Sequence, residues 1–350
     1  MQHLIKDFHP AGGKHCVSNA LKQVFHYYGY DLSEEMIFGL ASGLNFFYFE
    51  FKNLPYPLIG GRTKIGNFEE SLSCNLGIII ETHRTSSSKK AYGELKKLVE
   101  HNTPVVIYVD MNPLSYLGMP EEVHFGGHAV VVFGIDEEEE IAYVSDRDSG
   151  EAPLTLRQEE ESGDFHRVPL HELAAARGSK YKPFPPENKW LTFDLSGMWP
   201  IERRIIFEAI RETCTVMRCT PLKNLGIRGI HLFSRKVLEW KDYEREKFKW
   251  ACFNAYVMIN AIGGTGGGAF RRMYGSFLKE GAAITGAAEM EQYGREYITL
   301  GELWDDVADT FLSSSDTGSA ERLEEIAECL EHIHSKEEKL LHKLCTLVQE

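Results

Sequence analysis

The chain has 350 residues, of which 43% are hydrophobic, 26% charged and 11% aromatic. These are ordinary globular proportions, and they exclude a collagen-like, disordered or disulfide-stapled chain. At about 150 residues per domain the length points to two domains, each able to bury a core. A net charge of −14 argues against a nucleic-acid backbone or an anionic membrane as the main partner. It suits a soluble protein that handles small neutral or cationic molecules, or a basic patch on a carrier protein. Met1 to Pro10 lacks the apolar core of a signal peptide, and the longest apolar stretches, such as Ala129 to Phe133 and Ala255 to Ile262, are too short to span a bilayer. The seven cysteines (Cys16, Cys74, Cys214, Cys219, Cys252, Cys329 and Cys345) are odd in number and contain no CxxC pair. They read as reduced thiols of a cytoplasmic protein, and neither a disulfide frame nor a zinc knuckle is indicated.

From Cys16 to about Tyr30 the residues Val17, Ala20, Leu21, Val24, Phe25 and Tyr28 recur at helical spacing, between a flexible Ala11-Gly12-Gly13 and a terminating Gly29. A second helix is predicted from Ser33 to Leu40, with Ser33 as its cap. Residues 46 to 60, aromatic and proline-containing, read as strand or loop, and Leu95 to His101 closes another helix. Strand signals follow at Val105–Val109, His128–Ile135 and Ile141–Val144, with the acidic run Asp136 to Glu140 as a solvated hairpin turn. Helices first and an antiparallel-looking sheet after them indicate an α+β domain. Between Arg157 and Pro200 the texture changes: Glu159-Glu160-Glu161-Ser162-Gly163 reads as a solvated loop, and Pro183, Pro185 and Pro186 as a linker or draped stretch. Beyond Trp199 the spacing is helical over Pro200–Met217, Gly226–Trp240, Tyr243–Ile262, Phe270–Ala288, Leu300–Phe311 and Ala320–Val348. This defines two domains, 1–195 and a helical 196–350, with no internal repeat.

Four constellations bear on chemistry. Cys16 follows the Gly-rich Gly12-Gly13-Lys14-His15 at a helix start, where orphan amides and the positive dipole end favour a thiolate and can donate to an oxyanion. A small buried core cysteine is the bland alternative. His128 opens an apolar strand after Gly126-Gly127, and Asp146 ends the next strand, placed to fix the imidazole tautomer; Asp148 is the substitute for that third member. The glycine cluster Gly264-Thr265-Gly266-Gly267-Gly268-Ala269 has the letters of a dinucleotide fingerprint, but a helical segment precedes it and no second strand follows. Its sharper reading is an anion cradle, in which Gly266, Gly267, Arg271 and Tyr274 hold a phosphopantetheine-like group at a helix start. In the last helix Glu331-x-x-His334 has di-iron spacing, but a second such helix is missing; the charges there read as a solvated face, and no metal site is expected.

The order of a glycine-preceded Cys16, a Gly-His-Ala-Val-Val-Val-Phe-Gly-Ile-Asp strand from Gly127 and a Tyr-Val-Ser-Asp strand ending at Asp146 resembles the papain-like superfamily, in the compact form of bacteriocin-processing peptidases. The fuller pattern resembles the butirosin-biosynthesis H-protein family. It comprises His15-Cys16-Val17-Ser18-Asn19-Ala20-Leu21, Gly127-His128-Ala129, Val144-Ser145-Asp146-Arg147 and Glu172-Leu173-Ala174-Ala175-Ala176-Arg177, with the segment from Gly263 to Tyr274 looking like the hallmark of that family's helical domain. The resemblance implies a papain-like cysteine-protease fold followed by a mostly α-helical domain of obscure role. It further implies acyl or aminoacyl transfer from an acyl carrier protein or CoA thioester to a small amine- or hydroxyl-bearing acceptor such as an amino sugar. Cys16 would be the nucleophile, His128 the base and then acid, and Asp146 the orienting group, with no cofactor beyond the thioester donor. One departure is Pro10, which stands where papain-like peptidases place an oxyanion-donating Gln; the Cys16 amide can serve, and the second donor is unassigned. A peptidase or amidase on the same site, and an inactive binding module, are the rival readings.

Overall fold

The structure, a computed structural model, describes residues 2–51, 54, 56–64, 66–121, 123–148 and 165–349. In chain order the elements are β1 (Gln2–Leu4), α1 (Cys16–Tyr27), α2 (Glu34–Leu40), β2 (Leu44–Phe49), β3 (Leu58–Arg62), α3 (Asn67–Leu76), β4 (Ile79–His83), α4 (Ser88–Glu100), β5 (Val105–Val109), β6 (His128–Asp136), β7 (Ile141–Ser145), β8 (His166–Pro169), α5 (Leu170–Gly178) and β9 (Trp190–Asp194). Helices α6 (Arg203–Arg218), α7 (Gly226–Lys236), α8 (Arg245–Ile259), α9 (Arg271–Thr285), α10 (Ala288–Thr317) and α11 (Leu323–Leu347) follow. The expected loop at Glu159 to Gly163 lies outside the described residues.

The chain divides into two compact units, Met1–Ile37 with Ile78–Met198, and Phe38–Gly77 with Trp199–Glu350. The expected cut at 195/196 therefore falls three residues from an observed boundary, but a single cut is incorrect, because residues 38–77 belong with the helices. Their physical tie is aromatic. Phe46 stacks at 5.4 Å on Trp304 and at 6.0 Å on Phe233, and Tyr48 stacks at 5.2 Å on Phe233 while its hydroxyl accepts from Trp240 Nε1 at 3.3 Å.

The first unit is built on an antiparallel sheet in the order β4-β9-β5-β6-β7-β8, with β1 added to the far end of β6. Strands β5 and β6 are rich in β-branched residues, and Val105 to Val109 and Ala129 to Val132 are buried along their length. Helices α1 and α4 pack on β5 and β6, and Val17, Leu21, Val24 and Phe25 of α1 are fully enclosed. The start of α1 is thereby held over the central strands.

The second unit carries the β2–β3 hairpin, α3 and the helices α6 to α11. The spacing predicted only Leu300–Phe311 where α10 runs from Ala288 to Thr317. Gly294 and Gly301 look like breakers in the sequence. They serve instead as close-packing points: a Cβ on Gly294 would meet the Gly275 carbonyl of α9 at 2.6 Å, and one on Gly301 would meet Arg272 Cγ at 2.7 Å.

Candidate active site

Cys16 is the first residue of α1, His128 the first of β6, and Asp146 follows directly on β7. In the β6–β7 ladder Val131 faces Ser145, so one step further Val130 faces Asp146. Directly opposed residues share a face and alternate residues repeat it, so His128 and Asp146 project on the same side as diagonal neighbours. His128 Nε2 lies 2.7 Å from Asp146 Oδ2, and the Cys16 thiol is within hydrogen-bonding reach of the same imidazole. With Nε2 engaged by the carboxylate, Nδ1 is the nitrogen left to face the sulfur. All three groups are buried, Cys16 being the most accessible at 8% against 2% and 1% for His128 and Asp146.

The electrostatics follow from this arrangement. Burial opposes the imidazolium, but the Asp146 charge and the hydrogen bonds with Asp146 and Cys16 outweigh it and raise His128 to about 10. Burial also opposes the Asp146 carboxylate, yet His128, the Tyr116 hydroxyl and Arg147 bring it down to about 2. The site is therefore poised with His128 protonated, the state that stabilises a neighbouring thiolate.

Further side chains hold this geometry, Tyr116 and His166 among them unmarked by the sequence. The Tyr116 hydroxyl donates to Asp146 Oδ2 at 2.8 Å, and the short 3-10 turn carrying Tyr116 is fixed by Glu172, whose carboxylate accepts from Ser115 N at 3.0 Å. Tyr116 stacks on His166 at 3.9 Å, and His166 Nε2 lies 3.0 Å from Asp148 Oδ1. Asp148 is thus engaged with His166, while Asp146 takes the position beside His128.

The loop before α1 is braced from two sides. Buried Glu34 accepts from Lys14 N at 2.7 Å, His15 N at 3.1 Å and Ser18 Oγ at 3.2 Å. On the other side Gly13 N donates to Arg147 O at 2.6 Å, and Asn19 Nδ2 donates to Ala11 O at 3.1 Å and Asp146 O at 3.4 Å. Gln23 Oε1 accepts from both Ala11 N and Ser145 Oγ, at 3.1 and 2.6 Å. Glycine is required at position 13, since a Cβ there would meet Asn19 Oδ1 at 2.5 Å and Glu34 Oε2 at 2.6 Å. His15 forms the N-cap, its ring accepting from Ser18 N. The first-turn amides, including that of Cys16, belong to the group with no acceptor inside the helix.

The expected anion cradle in the second unit is corrected by the structure. Arg271 is completely buried; its Nε and Nη2 bond Glu337 at 3.1 Å, and its Nη1 donates to the carbonyls of Ala269, Asn45 and Gly61. Those bonds occupy the guanidinium, and Tyr274 is likewise fully enclosed. Gly266 and Gly267 form a turn with φ of 66° and 88°, and Gly267 N is taken by Thr265 Oγ1 at 3.0 Å. The anion at this helix start is the protein's own: Asp305 accepts from Gly268 N and from Arg272 Nε, both at 2.7 Å. No helix among the described residues is long and apolar enough to cross a membrane.

The fold and site define a mixed α/β unit with a cysteine–histidine–aspartate constellation, accompanied by a helical unit. Residues 15–147 match the family model described as Butirosin biosynthesis protein H, N-terminal, and residues 171–344 match one described as a Domain of unknown function (DUF4872). The first of these matches runs from His15 to Arg147 and so encloses Cys16, His128 and Asp146. No curated protein matches the chain.

Proposed function

We propose that this chain is a cysteine-dependent acyl or aminoacyl transferase with a papain-like site. It would take an acyl group from a phosphopantetheine-linked carrier protein or from CoA and deliver it to a small amine- or hydroxyl-bearing acceptor. The observation that carries the reading is the placement of His128 between Asp146 and Cys16 at the head of α1. A nucleophile, its base and the orienting acid within bonding reach, on three separate elements, form the working set of covalent acyl transfer. The butirosin-biosynthesis family description supports a biosynthetic setting.

In the first half-reaction the Cys16 thiolate attacks the donor thioester carbonyl, forming a new C–S bond. The tetrahedral oxyanion is received by amides of the first turn of α1. Its collapse breaks the donor C–S bond, and the His128 imidazolium gives its proton to the departing thiolate. The products are acyl-Cys16, free donor thiol and neutral His128. In the second half-reaction the acceptor amine attacks acyl-Cys16 and His128 takes its proton. The amide leaves and the Cys16 thiolate–His128 imidazolium pair is restored. Exchange between two thioesters is nearly isoenergetic, and formation of the amide makes the sequence run downhill. Asp146 stays ionised throughout and holds the ring.

The test supplies the purified chain with short acyl and aminoacyl thioesters of pantetheine and a panel of small amines, amino sugars among them, with a parallel panel of peptides. Amide formation that vanishes in Cys16→Ser supports transfer. Cleavage of peptides without amide formation would establish hydrolysis instead, and absence of both would leave a binding module.

A further inference from the structure

We propose that α7 and α11 together carry a surface site for a zinc-class divalent cation, made by His231, Glu331 and His334. Glu331 and His334 lie three residues apart on α11 and share one face of the helix, and His231 reaches them from α7. His231 Nδ1 is 2.9 Å from Glu331 Oε2, His334 Nδ1 is 3.7 Å from Glu331 Oε1, and the three ligand atoms lie within 4.8 Å of one another. In a tetrahedral zinc site with bonds of about 2.0–2.1 Å, neighbouring ligand atoms stand about 3.3 Å apart. The two imidazoles face different oxygens of Glu331 and the three ligand atoms stand within 4.8 Å, so side-chain adjustments of about 1–2 Å bring them to that spacing around an ion.

The donor set chooses the metal. Two imidazoles and one carboxylate suit zinc and its transition-metal neighbours, whereas magnesium and calcium take oxygen ligands. An ion pair needs one histidine; a second imidazole, its ring 5.1 Å from the first and facing the same carboxylate, supplies a further ligand. The carboxylate is also oriented from behind: Ser234, itself buried, places its Oγ 3.0 Å from Glu331 Oε2 and 2.8 Å from the His231 carbonyl. His231 and Glu331 are about half exposed, so an ion enters from solvent and water completes the fourth position. The Glu331-x-x-His334 spacing on α11 lacked a partner in the sequence; the partner lies 100 residues earlier, on α7. Bound metal would tie α7 to α11, and this site is independent of the Cys16 chemistry.

The experiment is a calorimetric titration of the full chain with zinc sulfate, after chelator treatment and alkylation of accessible thiols, since Cys16 and the exposed Cys74 and Cys219 would also bind zinc. One equivalent should bind, weakened roughly 10–100-fold in each of His231→Ala, Glu331→Gln and His334→Ala. Circular dichroism of the metal-free variants confirms folding, and zinc should raise the melting temperature of the parent protein more than that of any variant. Full affinity retained in any one of the three, or no saturable binding up to about 1 mM zinc, overturns the site.

Discussion

Replacing His128 by Ala should cost Cys16 most of its reactivity at low pH, by an amount that follows from the geometry. A free thiol with a pKa of about 8.5 is ionised to only about three parts in ten thousand at pH 5. A thiol paired with an imidazolium at a helix start and lowered by about four units is mostly thiolate there, a gain of about 2,000-fold in reactive species. Lower basicity weakens the nucleophile; with a Brønsted coefficient of about 0.4–0.5 it takes back roughly sixtyfold. The net expectation is a parent alkylation rate several tens of times that of the variant. The assay is iodoacetamide labelling at pH 5, read at Cys16 by peptide mass mapping, with the other six cysteines as internal references. Because the variant's thiol gains thiolate about tenfold with each pH unit up to about 8.5, the parent's advantage should shrink as pH rises and vanish by about pH 7. Equal rates at pH 5 in a folded variant would refute the pairing.

The remaining predictions concern interactions within each unit taken by itself. Breaking the fully buried Arg271–Glu337 pair by Arg271→Met alone should destabilise the chain by about 3–5 kcal/mol, whereas the double change with Glu337→Leu should recover much of that, as urea unfolding would show. Removing the Glu34 carboxylate by Glu34→Ala strips acceptors from Lys14 N and His15 N and should lower stability by about 2–3 kcal/mol while slowing Cys16 alkylation; unchanged alkylation would mean that the loop is held by other contacts. His128 is raised by its partner, so its stabilisation is complete below its unfolded value of about 6.5 and is lost as pH rises through about 10. Asp146 is lowered, so its share is present above about 3.9 and is lost as pH falls through about 2. The stability difference between the parent and Asp146→Asn should therefore be greatest between those limits and shrink toward pH 10, as measured by denaturant midpoints at several pH values.

Much of the site was legible because its three members sit at element boundaries that local patterning reveals. Cys16 follows glycines at the head of a strongly periodic helix, His128 begins the longest described strand, and Asp146 ends the short hairpin beside it. The supporting residues were not legible in this way. Glu34, Gln23 and Tyr116 reach the site through contacts distant in sequence, and nothing in their own neighbourhoods marks them; Glu172 stood out only as part of a motif, with no sign of its bond to Ser115. The same limit explains the fold's omissions. Strands β4 and β9 are joined by pairing across more than a hundred residues, and β4 carries mixed side chains that are largely exposed. Arg271 misled for an electrostatic reason: a cation at a helix start suggests an external anion, but Glu337 lies 66 residues away in sequence and supplies that charge from within. Residues 38–77 were assigned to the wrong unit because their aromatic partners, Phe233, Trp240 and Trp304, lie in the distant helices.

The most direct test of the central claim is the intact mass of the protein after brief mixing with an acyl-pantetheine thioester and no acceptor. The account predicts a single added acyl group that maps to Cys16, is absent from Cys16→Ser, and is discharged when a competent amine is added. An unchanged mass with a panel of acyl donors, or acyl groups spread over the other cysteines, would contradict it.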